Sequence, residues 1–191
     1  MSFFACFLCA YLLYRCVSPG WLPLALLCGA ATFYSYANGQ GAMLAVGMLL
    51  LVSDLRYHLR QSWRTLVTAA LLLVLLATPY IRFRVLHPEA VAYHLQTLDS
   101  YWLRPFPLRQ KLLLFGQTYL QGISPLYWFP PNDTDLVRHQ MKGMGHLSVL
   151  ALPFVLIGFL VCLRRWRQPE YRAVLAALLA APFSASLVAI L

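Results

Sequence analysis

The chain is predicted to be all-α, a polytopic bundle of about six transmembrane helices, and three observations carry that prediction. Of its 191 residues, 61% are hydrophobic and only 11% charged, with a mean hydropathy of +0.66. An average soluble domain carries roughly 25% charged residues. The apolar residues gather in six stretches, 2–16, 21–36, 41–53, 63–81, 147–163 and 171–191, while charge and most potentially reactive side chains fall outside them, chiefly in the gap 82–146. The expected division is therefore helices one to four in 1–81, an extracytoplasmic segment with interfacial helices in 82–146, and helices five and six in 147–191.

A membrane-crossing helix needs about 20 apolar residues, with a range of about 17–25. The fourth and sixth stretches reach that length, and the fifth just does. The first three are short and are punctuated by Pro19, Gly20, Pro23, Gly39, Gly41 and Gly47. They read as three short spans or as a re-entrant pair whose backbone other helices satisfy. Charge parity favours three spans, because Lys and Arg collect on the cytoplasmic side of short loops. Arg15, then Arg56, Arg60 and Arg64, then Arg164, Arg165, Arg167 and Arg172 occupy alternate short connectors, with the uncharged turn 37–40 between the first two. Six spans put these three basic connectors on one side and the 82–146 segment on the other. The first stretch lacks a basic start and a small-residue cleavage site, so it does not read as a secretory signal.

Within 82–146, Arg82 and Arg84 lie where the fourth helix leaves the bilayer, either as snorkelling anchors or as a cationic seat for an anionic headgroup. Pro88 and Glu89 suit a first helical turn, and Val91, Leu95, Leu98 and Trp102 then share a face. A surface helix is expected over 88–103. A second, from Leu108 through Leu112, Phe115 and Tyr119 to near Gly122, is too short to cross and reads as interfacial. Residues 124–131 form an aromatic loop, suited to headgroup depth or to stacking on a sugar ring. A short helix is expected from Asp135 through Lys142, with His139 and His146 flanking the entry to span five.

The net charge of +9 does not call for nucleic acid, since eight of the fifteen basic residues act as topology signals and no nucleic-acid-binding module is visible. All five cysteines lie in or beside apolar stretches, where they read as small packing residues. Asp133 and Asp135 have the spacing with which sugar-nucleotide glycosyltransferases hold a divalent cation. They also stand where a helix N-cap is expected, and no metal site or cofactor is assigned. Asn132 and Thr134 form a glycosylation sequon. Ser-His-Asp, P-loop and HExxH spacings are absent.

Four segments carry a family resemblance. Tyr34-Ser35-Tyr36-Ala37-Asn38-Gly39-Gln40, the stretch from Tyr119 through Ser124 and Pro125 to Phe129, the run Asp135 to His139, and Gly143-Met144-Gly145 leading to Pro153 and Gly158 resemble the bacterial branch of glycosyltransferase family 39. That branch has the GT-C fold and is related to protein O-mannosyltransferases. The resemblance runs from about residue 20 onward. It implies transfer of a sugar from a polyprenyl-phosphate donor to an acceptor at the outer face of a bacterial inner membrane, with inversion at the anomeric carbon. It implies binding residues Tyr34, Tyr36 and Gln40 along an outer cavity, and Arg82, Arg84, Arg138 and His139 near the lipid phosphate or the sugar. The family carries its catalytic carboxylate on an outer loop ahead of the matched region, whereas nothing acidic precedes Asp54 here, and many relatives have Arg where Gln40 stands. The expectation is a fragment or shortened member that is not catalytic by itself. A noncatalytic scaffold and a transporter fragment are the alternatives; the latter is disfavoured because the spans offer chiefly Thr32, Thr68, Ser184 and Ser186 as polar groups.

Overall fold

Residues 2–131 and 144–188 are described by the computed structural model, and every regular element among them is helical. The chain opens with α1 (Ser2–Cys16), on which Phe4, Phe7, Tyr11 and Tyr14 recur at intervals of three and four and so share one face. Their ring centroids follow one another at 6.4, 6.3 and 5.9 Å. Ser18 accepts a hydrogen bond from the backbone of Gly20 and starts a single 3-10 turn, after which α2 (Leu22–Ser35) runs back along α1.

Tyr36 is extended (φ −161°, ψ 144°), and α3 (Ala37–Ser53) begins directly after it. The turn expected at 37–40 is thus already helical. Gly39 makes this corner possible, since a Cβ there would lie 2.5 Å from the carbonyl oxygen of Thr32. Asp54 leads into the short α4 (Leu55–Leu59), and Ser62 caps α5 (Trp63–Leu86) by accepting from the Thr65 amide. At 24 residues and about 36 Å, α5 is the one described helix long and apolar enough to cross a membrane. It extends five residues past the expected end at 81, so Arg82 and Arg84 belong to the helix.

The next helix is shorter than the pattern predicts. α6 (Ala90–Thr97) stops where Asp99 adopts φ 47°, with the Asp99 amide donating to the Gln96 carbonyl and the Ser100 amide to the Leu95 carbonyl. This is a Schellman-type end. It carries Asp in place of the usual Gly, and Asp tolerates the left-handed region better than most residues. Residues Tyr101–Leu103 form a separate 3-10 turn. α7 (Leu108–Ile123) occupies the expected second segment, and α8 (Pro125–Trp128) is a single turn inside the aromatic loop. The expected short helix over 135–142 lies outside the described residues.

α9 (Leu152–Arg164) precedes α10 (Pro169–Ala180) and α11 (Phe183–Val188). The sixth stretch was expected to be one helix and is two, because Pro182 has no amide hydrogen to continue the ladder. The core lies among α1, α2, α3 and α10, where Phe7, Ala10, Tyr11, Tyr14, Ala25, Val46, Leu50, Ala173, Ala176 and Ala180 are buried. The small side chains of Ala173, Ala176 and Ala180 let α10 lie close against α3. By contrast, α5 packs on α2 and α9 on α10 without burying any residue of their own.

Candidate functional site

At one end of the bundle stand five of the residues that the family resemblance singles out, Tyr34, Tyr36, Gln40, Arg82 and Arg84. The Tyr34 hydroxyl donates to the Leu76 carbonyl on α5 at 2.6 Å, and the Phe33 and Tyr80 rings meet edge to face at 5.0 Å. These contacts set the end of α2 beside α5, one turn before Arg84. Tyr36 is exposed, and Gln40 is half-buried on the first turn of α3. One guanidinium nitrogen of Arg84, Nη1, is buried without a hydrogen-bond partner, while Arg82 is exposed between Thr78 and Leu86. Arg138 and His139 lie outside the described residues, as do Asp133 and Asp135.

The long segment docks at this same end through α11. Gly41 on α3 approaches Ser184 so closely that a Cβ would lie 2.7 Å from the serine Cβ, and Gly122 on α7 approaches Pro182 in the same way at 2.6 Å. Phe115 meets Phe183 edge to face at 5.7 Å. The Tyr119 hydroxyl donates to the Leu179 carbonyl at 2.8 Å, and that of buried Tyr101 to the Ser186 carbonyl at 3.0 Å. Burial pushes the pKa of both hydroxyls up. The aromatic loop folds on itself: Trp128 Nε1 donates to the Gly122 carbonyl, Tyr127 and Trp128 pack with the His146 ring, and Phe129 is buried.

The opposite end holds a polar cluster that sequence reasoning missed. Asp54 is buried, with a side chain 2% exposed. Arg172 of α10 donates to its Oδ1, and Arg15 of α1 places Nε 3.3 Å from the same oxygen, within ion-pair range though not aligned for a hydrogen bond. Tyr11 donates to Oδ2 at 2.8 Å. One carboxylate thus joins α1, α3 and α10. Arg15 also lies over the Tyr57 ring, 3.9 Å from its centroid, and Tyr57 donates to the Tyr14 carbonyl.

Alongside, His58 sits between two tyrosines, with Nδ1 2.9 Å from the Tyr14 hydroxyl and Nε2 3.4 Å from the Tyr11 hydroxyl. The Tyr11 proton is committed to Asp54, so towards His58 this oxygen can only accept. The two ring nitrogens thus stand between the Tyr14 and Tyr11 hydroxyls, and the Leu50 carbonyl is a further acceptor for the ring. Burial lowers the His58 pKa, with Asp54 opposing that shift.

In the sequence Arg15 and Arg172 read only as topology signals and Asp54 only as the first acid in the chain. Chemically, the cluster neutralises a buried carboxylate and fixes helix register. The 4, 7, 11, 14 spacing on α1 was the available signal, but it marks a face without naming what meets it. Among the described residues, no three His, Cys, Asp or Glu side chains stand together as a metal-ligand set. No family model, curated protein or solved structure matches this chain.

Proposed function

We propose that the chain is a multi-pass membrane protein and forms part of a glycosyltransferase that takes a sugar from a polyprenyl-phosphate carrier. The membrane reading draws support from α5, whose 24 residues are largely apolar and none of them buried. On α9, Leu150 at the preceding turn, Phe154 and Leu160 are 82, 75 and 62% exposed. Side chains of this size left bare along whole helices call for an apolar surrounding. Helix directions add to this. Arg15, the 54–62 connector and the 165–168 connector share one end of the bundle, as the positive-inside rule requires of six spans.

The observation that carries the enzymatic reading is the meeting of two family-like segments at the other end. Residues 34–40 and 119–129 are separate in sequence, yet Gly41, directly after the first, packs on Ser184 of α11 and the second packs on Leu179 and Pro182, while Phe33 beside Tyr34 meets Tyr80 of α5 one turn before Arg84. A buried, unpartnered guanidinium nitrogen is costly unless an anion reaches it, and a lipid phosphate at the membrane surface is the anion this chemistry selects. Photocrosslinking in membranes tests the reading. A benzophenone-bearing polyprenyl-phosphate analogue should label the chain, unlabelled polyprenyl phosphate should compete, and Arg84→Gln should reduce labelling at least fivefold. Equal labelling of wild type and Arg84→Gln, or no competition, would refute it.

A scaffold reading has one observation in its favour. Among the described residues the acids at the carrier-binding end, Glu89 and Asp99, are exposed, the latter paired with Arg104 at 2.9 Å. Neither is held as a catalytic base would be. Labelling that persists in a chain inactive for sugar transfer would fit a binding subunit.

A further inference from the structure

The arginines of the basic end fall into two populations, and the division points to a binding face. Arg15 and Arg172 turn inward to Asp54. Arg165 lies over its neighbour Tyr171, 5.7 Å from the ring centroid, and donates to its hydroxyl. Arg56, Arg60, Arg64, Arg164 and Arg167 are exposed, and no carboxylate pairs with them among the described residues. These five sit on two connectors that include the helix ends bounding them, 54–64 and 164–168, about a hundred residues apart.

The Asp54–Arg172 pair brings the connectors together. Asp54 opens the first and Arg172 follows the second by a few residues, so their contact sets one against the other. Trp63 and Trp166 stand on the same connectors, 78 and 56% exposed. Indole rings favour headgroup depth, where one edge is wet and the face is apolar. An arginine fork matches a phosphate oxygen pair better than a lysine does.

We propose that the two connectors together form a seat for anionic phospholipid headgroups, assembled by the buried Asp54 clasp. This rests on the membrane reading given above. Each exposed cation near an anionic leaflet adds attraction that falls off within a Debye length. Two connectors held side by side therefore retain such a lipid better than either alone.

The test uses the full chain in nanodiscs of equal phosphatidylglycerol and phosphatidylcholine, followed by native mass spectrometry of the released protein. Wild type should retain phosphatidylglycerol preferentially, and the Arg60→Gln/Arg64→Gln/Arg167→Gln variant should lose that retention by roughly tenfold or more. These side chains are exposed, so the variant should keep the wild-type unfolding temperature. A second arm raises the salt to 1 M, which should weaken wild-type retention. Equal retention of both lipids by wild type, or undiminished phosphatidylglycerol retention by the variant, would overturn the seat. Carbonate extraction separates this from the membrane reading: a chain that stays in the pellet without lipid preference defeats only the seat, whereas one that is released defeats both.

Discussion

Asp54 is the residue on which three helices depend. Removing its charge leaves Arg15 and Arg172 facing each other across a site with no carboxylate, and breaking a buried ion pair from one side costs about 3–5 kcal/mol. Both arginine side chains stay partly exposed, at 24 and 14%, so the lower end of that range applies. Asp54→Asn is therefore expected to destabilise by about 3 kcal/mol in denaturant unfolding in mild detergent. Tyr11→Phe, which deletes only the hydroxyl donated to Oδ2, should cost about 1.5 kcal/mol. None of this was legible in the sequence. Asp54 lies 43 residues from Tyr11 and 118 from Arg172, and charge counting assigns an arginine beside an apolar stretch to topology whether it faces outward or inward.

Elements were legible where periodicity ran uninterrupted, as on α7. They were misjudged where a single residue set the boundary, at Asp99 in α6 and at Pro182 between α10 and α11. Tyr36 and Gly39 misled in the opposite sense, because a turn-like composition there belongs to a tight corner between two helices. The packing of α11 gives a sharp contrast. Gly41→Ala drives a methyl to 2.7 Å from the Ser184 Cβ and should destabilise by about 1–3 kcal/mol. Gly47→Ala on the same helix meets nothing within 4 Å and should stabilise by up to about 1 kcal/mol through helix propensity. Thermal unfolding of both variants in one detergent compares them directly. The contact between α1 and α4 should also respond to pH. His58 is neutral in the fold and its pKa is lowered, so the unfolded chain takes up a proton first. This contribution is fully present above about pH 6.5 and diminishes as the pH falls from there to the lowered folded value. His58→Gln should flatten the dependence of unfolding temperature over that window.

For the molecule as a whole, the alternation of charge along the chain proved the most informative sequence feature. It predicts three basic connectors on a single side of a membrane, and in the fold Arg15, Asp54 and Arg172 from those connectors meet at one end of the bundle. The candidate site was legible only in part. Tyr34 is tied to α5, and Arg84 stands a turn beyond the contact of Phe33 with Tyr80, but the route by which 82–131 returns to α3 runs through α11, whose break at Pro182 the apolar composition concealed. Sidedness is the claim beneath both the carrier-lipid reading and the phospholipid seat. Single-cysteine labelling in intact cells with a membrane-impermeant maleimide, in a background lacking the five native cysteines, measures it. The account predicts that Glu89→Cys and Gln110→Cys react from outside, whereas Arg60→Cys and Arg167→Cys react only after permeabilisation. Reaction of all four from the same side would contradict it.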